Sequence, residues 1–313
     1  MAETIDSGRT TMHLFKRILF ATDFSNEAAV AREEAVRLAL RWGAELGLIH
    51  VQRSLSSSWY SFDRFYSQVN DQLREGARTQ LKKEISAITA LGGELETSAI
   101  LEGEGAIYEQ ISDFAESWKA DVIVSGTHGQ DQAEVFAWGT TASNLVRISS
   151  TPVLSVRTDQ EPGFQNILVP ISFTPACREA LSVGVALARQ SDRCTLHILH
   201  ACEPIGLSSV MVVSDASTSD YAQQVEEAAH QQMDTFLGDF DVSGVEEVKK
   251  VVVRAQPHVG ILDYASNQEV ELICMPTLGR RGLSGMLLGN TAERVLRGSR
   301  CSMLTLHYSG EGE

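Results

Sequence analysis

At 313 residues the chain has the length of two ordinary domains, each long enough to bury a core of its own. Hydrophobic residues make up 43% and charged residues 21%, a globular composition that excludes a disordered chain. Lys and Arg total 26 against 41 Asp and Glu, a net charge of −15, which argues against a surface built for nucleic acid or anionic lipid.

Met1 to Thr11 is polar and lacks the apolar stretch of a secretory signal. Strand-like apolar runs follow near residues 16–22, 45–51, 95–101, 121–126 and 152–157. Asn26 to Trp42 reads as a helix closed by Gly43. From Phe62 to Ile88, apolar residues recur every three or four positions along one face of a long helix. Ile107, Ile111, Ala115 and Trp118 mark another helix, and Ala142 to Ser149 a short one. Val122–Val124 is apolar on both faces, as in a parallel strand covered by helices. Pro152 suits the first position of an edge strand. No apolar run approaches the roughly 20 residues of a membrane span.

The pattern then repeats. Ile18-Leu19-Phe20-Ala21-Thr22-Asp23-Phe24-Ser25 aligns with Ile167-Leu168-Val169-Pro170-Ile171-Ser172-Phe173-Thr174, 149 residues later. Leu46–His50 aligns with Leu196–His200, and Asp121–Val124 with Glu271–Cys274, both 150 residues later. Gly139 with Gly289, and Val153-Leu154 with Met303-Leu304, keep that offset. A register held across separated segments predicts a duplicated domain, 13–158 and 163–308, joined by the polar linker 159–163. Alternating strands and helices predict two tandem, doubly wound α/β units with parallel five-stranded sheets. Tyr221, Val225, Ala229, Met233 and Leu237 mark the second copy of the long helix, after a Ser-rich loop at 208–220. Edge strands beginning near Pro152 and Cys301 have two possible partners: each other, or those of a second chain in a homodimer.

Cys177, Cys194, Cys202, Cys274 and Cys301 are odd in number and include no CxxC, which points to a reducing, cytoplasmic setting. Cys177 and Cys301 read as small apolar fillers. His197 and His200 point to opposite faces of a strand, and His200 with Cys202 falls short of a zinc site, so no metal site is assigned. Trp42, Trp118 and Phe136 read as packing residues, and the pairs Glu226-Glu227 and Glu246-Glu247 as solvated faces.

In open α/β sheets, ligands collect at the carboxyl ends of strands where the winding reverses. Asp23 ends the first strand, Ser125-Gly126-Thr127-His128-Gly129 follows the fourth, and Gly139-Thr140-Thr141 opens the next helix. Glycines let the backbone approach an anion, and the helix start adds unpaired N–H groups and a favourable dipole. Thr140 and Thr141 supply hydroxyls there, and His128 can hydrogen-bond a phosphate oxygen. Asp23 suits an amine or hydroxyl of a base or sugar; it is equally suited to capping the helix near Asn26. The same glycines can also serve simply as tight turns. No nucleophile with a paired base appears, so no catalytic residue is assigned.

These residues resemble the universal stress protein (UspA) family, over nearly the whole chain as two copies. Gly126, Gly129, Gly139 and Thr140 fit the family's G-x2-G-x9-G-(S/T) spacing. Thr22-Asp23-Phe24-Ser25 resembles its first-strand segment, and Val51 matches the apolar position lining its adenine pocket. The resemblance implies sheet order 3-2-1-4-5 and ATP, with Mg²⁺, held by Asp23, Val51, Ser125, Gly126, His128, Gly129, Gly139, Thr140 and Thr141.

The second copy departs from that pattern. Ser172 stands for Asp23, Pro276 for Gly126 and Asn290 for Thr140, although Gly279 and Gly289 remain. Proline removes an N–H and fixes φ, so this copy is expected to bind ATP weakly and to act as a built-in partner. In the first copy, the 130–138 loop contains Asp131 and Glu134 but no Lys or Arg. Arg280 and Arg281 are candidates to supply the missing cation from the second copy.

The expected function is adenine-nucleotide binding in a stress-response or signalling role, with any ATP hydrolysis slow. Two other classes compete: a nucleotide-independent scaffold, and an ATP-using enzyme of related fold. The enzyme reading requires an SGGxDS-like loop or a HIGH motif, and Ala21–Ser25 occupies that place instead.

Overall fold

A computed structural model describes residues 14–53, 63–103, 105–127, 139–191, 193–202, 218–238, 240–278 and 289–308. In the first repeat the elements run β1 (Arg17–Ala21), α1 (Ala28–Trp42), β2 (Glu45–Arg53), α2 (Asp63–Ala90), β3 (Leu95–Gly103), α3 (Ile107–Trp118), β4 (Val122–Gly126), α4 (Thr140–Ile148) and β5 (Val153–Val156). The second repeat follows with β6 (Asn166–Pro170), α5 (Pro175–Gln190), β7 (Thr195–Cys202), α6 (Thr218–Leu237), β8 (Glu247–Arg254), α7 (Pro257–Asn267), β9 (Leu272–Leu278), α8 (Asn290–Gly298) and β10 (Ser302–Tyr308).

The strands lie in the order β3-β2-β1-β4-β5-β10-β9-β6-β7-β8. Within each repeat the pairing is parallel, and β5 meets β10 antiparallel with Leu154 opposite Leu304. The two five-stranded units are therefore joined edge to edge into one sheet. Each fifth strand covers the other, so neither is left as a free edge.

Side-chain alternation sends successive strand residues to opposite faces. Ile18, Phe20, Val122, Val124, Ile167 and Val169 pack beneath α1 and α5, in one buried layer. Leu19, Ala21, Ile49, Ile123, Leu168 and Ile273 form the other, with residues of α3, α4, α7 and α8. Gly43 ends α1 in the left-handed conformation, φ 59°, where a Cβ would be strained. Trp42 packs edge-on to Phe15, and Trp118 stacks under the Arg17 guanidinium. Phe136 lies outside the described residues. Of the 208–220 loop, only 218–220 are described, and they already belong to α6.

Duplication extends to small details. The Asp121 carboxylate accepts the backbone N–H groups of Lys16 and Arg17, which lead into β1. Glu271 does the same for Gln165 and Asn166 ahead of β6. The linker has no such counterpart and is tied down separately. Glu34 on α1 is fully buried; it takes both arms of the Arg37 fork, at 2.8 and 2.6 Å, and the Gly163 N–H at 2.8 Å.

All five cysteines are free thiols and buried. Burial pushes the Cys194 thiol up to about 12 and that of Cys301 to about 11, so neither forms the reactive thiolate near neutral pH. Among the described residues no group of His, Cys, Asp and Glu has the layout of a metal site, and no helix is long and apolar enough to cross a membrane.

Candidate functional site

A cleft of about 620 Å³ opens over the carboxyl ends of β2, β1 and β4. It lies in the first repeat, where the winding reverses between β1 and β4. Asp23, Val51, Ser125, Gly126, Gly139, Thr140 and Thr141 all line it, so the structure brings together seven of the nine residues expected from sequence. The other two, His128 and Gly129, lie outside the described residues, as do the 130–138 loop and Arg280 and Arg281.

One wall is apolar. Ile49 and Val51 alternate onto the same face of β2, and Ile107 and Ile111 of α3 complete that side of the cleft. The opposite side is the start of α4. Gly139 is its N-cap, and its own N–H donates to the Thr127 carbonyl at 2.7 Å. Among the described residues no side chain caps this helix, and no acidic residue occupies its first turn. Its first amides therefore face the cleft with the positive end of the helix dipole behind them. Thr140 and Thr141 are the first two helical residues, which places their hydroxyls beside those amides and not in the capping position.

Between these walls runs the β1–α1 turn. Asp23 is exposed, and its Oδ1 accepts the Ser25 N–H at 3.0 Å. The Ser25 hydroxyl accepts the Ala28 N–H at 3.1 Å, so Ser25 serves the start of α1 and Asp23 shapes the turn before it. Phe24 sits at φ 62°, a conformation a bulky side chain adopts only when its surroundings enforce it. The enforcing group is His50: its ring stacks on Phe24 at 4.2 Å, and its Nδ1 lies 2.8 Å from the Thr22 carbonyl. Because a carbonyl only accepts, the His50 Nδ1 carries a proton and donates to it. Phe173 (φ 59°), His200 and the Ile171 carbonyl repeat this arrangement, so it belongs to the fold of both repeats.

Sequence reasoning missed the cation of the site. Arg53, the last residue of β2, lines the cleft and is exposed, with no ion pair or side-chain hydrogen bond among the described residues. Alternation from Val51 was the available signal: two residues on, Arg53 must point to the same face. β2 also runs two residues beyond the run ending at 51, which carries Arg53 to the rim.

In the second repeat the corresponding strand continues. β9 runs on through Pro276 to Leu278, paired with Leu306 to Tyr308 of β10, whereas β4 stops at Gly126. Pairing with β6 ends at Ile273, so the missing proline N–H falls where no β6 carbonyl is waiting. At the place of Asp23, the Ser172 N–H and the Thr174 hydroxyl both donate to the Cys177 sulfur, each at 3.3 Å. The second repeat thus keeps the turn and replaces its carboxylate chemistry with a buried thiol.

Known proteins match along the whole chain. The model of the universal stress protein family matches residues 14–157 and again 163–307. The chain is 25% identical over 310 residues to the universal stress protein E homolog of Haemophilus influenzae, covering 94% of this chain and 98% of that one. It is 24% identical over 193 residues to universal stress protein E of Escherichia coli K12, covering 59% and 60% respectively. In structure it resembles a universal stress protein from Archaeoglobus fulgidus DSM 4304, with a TM-score of 0.65 at 20% identity over 93% of this chain and 98% of that one. The low identity of that match speaks to the fold alone. With two family matches meeting at the linker, the chain belongs to the universal stress protein family as a tandem member.

Proposed function

We propose that the cleft of the first repeat binds an adenine nucleotide, ATP, and that occupancy serves a stress-response or signalling role. One observation carries this reading: an apolar wall, a carboxylate and an uncapped helix start converge on a single cleft of about 620 Å³. That volume lies within the range of small-molecule sites. The base lies against Ile49 and Val51, Asp23 meets the sugar or an exocyclic amine, and the phosphates face the amides and hydroxyls at Gly139, Thr140 and Thr141. Ser125 and Gly126 form the floor. His128 and Gly129, in the same motif, are assigned to the phosphates on the resemblance alone. Mg²⁺ would offset the acidic character of the chain around a triphosphate.

The units 13–158 and 163–308 are the domains of this reading. The second serves as the internal partner that completes the sheet, in place of a second chain. No catalytic role is assigned to any residue.

Calorimetry with Mg·ATP on the whole chain tests the proposal. Binding at one site per chain, lost when Asp23→Ala is combined with Thr140→Val, is the expected result. Silence at millimolar Mg·ATP would remove the nucleotide and leave the scaffold reading.

A further inference from the structure

The floor of the cleft holds a polar atom with no partner among the described residues. Ser125 is 8% exposed and lines the cleft, and its Oγ is buried with no hydrogen bond among the described residues. Its register neighbour on β5, Ser155, is fully buried and equally unpartnered. Buried hydroxyls in folded proteins are nearly always satisfied, by protein, by water or by a ligand.

The second repeat shows that the fold does not require this arrangement. Met275 occupies the place of Ser125, buried in the same apolar layer. Thr305 occupies the place of Ser155, and its hydroxyl donates to the Val153 carbonyl at 3.2 Å. The unpaired hydroxyls belong to the repeat that keeps the full glycine pattern.

Position within the sheet says which ligand group Ser125 meets. Neighbouring strands lie about 5 Å apart. Across the cleft the order is the apolar wall on β2, Asp23 at the end of β1, then Ser125 on β4 beside Ala21, with the start of α4 beyond. A nucleotide laid along that line sets its base on β2, its sugar at β1 and its first phosphoryl group over β4. We propose that Ser125 is a specificity-determining group of this cleft, its Oγ–H donating to an oxygen of the phosphoryl group nearest the sugar. The inference rests on the nucleotide reading above.

Binding of adenosine, AMP and ATP to the whole wild-type chain and to Ser125→Ala separates the two. Loss of a hydrogen bond to a charged group predicts AMP and ATP affinities at least tenfold weaker in the variant. Adenosine affinity should stay within twofold. The melting temperature of the free variant should be unchanged or higher, because an unsatisfied hydroxyl has been removed. Unchanged AMP and ATP affinities would overturn the assignment and leave the two serines to an internal water. Equal weakening of adenosine would also overturn it, as a general distortion of the cleft. If wild type binds none of the three, the nucleotide reading itself falls, and this inference with it.

Discussion

Arg147 and Glu293 join the two repeats through a two-pronged ion pair, Nη2 to Oε1 at 2.6 Å and Nε to Oε2 at 3.2 Å. Arg147 lies in the last turn of α4 and Glu293 in the first turn of α8, so each charge also opposes its own helix dipole favourably. The duplication does not foresee it: Arg147 corresponds to Arg297, and Glu293 to Ser143. The mirror-related pair therefore does not form, and Arg297 turns back onto Glu293 within α8 at 2.8 Å. Hydrogen bonding from Arg147 holds the Glu293 carboxyl below the usual carboxylate range. A double-mutant cycle of Arg147→Ala and Glu293→Ala should give a coupling of about 1 kcal/mol in favour of the pair, because the pair is two-pronged and partly buried. Coupling near zero would mean that the β5–β10 pairing alone holds the repeats together.

Glu34 should be the costliest single carboxylate to remove. It is fully buried, and its removal would leave the Arg37 guanidinium and the Gly163 N–H without their acceptor. Glu34→Ala should destabilise the chain by about 3 kcal/mol in urea unfolding, as expected when one side of a buried pair is lost. Faster proteolytic cleavage within 159–163 should accompany the loss. A variant as stable as wild type, with the linker still protected, would show that the Glu34 contacts contribute nothing.

His197 makes the second repeat sensitive to acid. It is buried on β7, its Nδ1 lies 2.9 Å from the Tyr264 hydroxyl on α7, and its Nε2 has no partner among the described residues. Burial first, then the Lys249 charge, lowers its pKa below the ordinary imidazole value, with Glu247 opposing. The unfolded chain then takes up the proton more readily than the folded one. Stability is full above about pH 6.5 and declines as pH falls toward the folded-state value. His197→Gln should flatten that slope below about pH 6.5, by at most about 1.4 kcal/mol per pH unit. Parallel stability-against-pH curves for variant and wild type would refute the assignment.

Arg53 should govern the attraction of anions to the cleft. Arg53→Ala is expected to weaken Mg·ATP binding severalfold at low salt and less at high salt, because an exposed charge acts through a screened field. Arg53→Lys should retain most of the affinity. Equal affinities for wild type and Arg53→Ala at low salt would place the ligand away from β2.

How much of the site was legible follows from the kind of signal each residue leaves. Gly126, Gly139, Thr140 and Asp23 stand at strand ends and helix starts, which glycine spacing and apolar periodicity mark directly, and they line one cleft. Ser125 was named as part of that motif, but its unpaired hydroxyl is a property of packing. Arg53 escaped because its role depends on where β2 stops, and strand ends are set by pairing, here with Gly103 of β3. Pro276 was legible as damage to an amide nest. That β9 would continue through it was not, because the continuation depends on β10 alongside.

The sequence by itself determined the duplication, the α/β class and the place of the glycine-rich turns, because each is written in local periodicity and constant spacing. Only the tertiary structure decided that β5 and β10 close on each other, that Arg147 crosses to Glu293, and that Glu34 holds the linker. Those contacts join residues more than a hundred positions apart. Their partners are selected by geometry and burial after the chain has collapsed, and no local pattern encodes that choice.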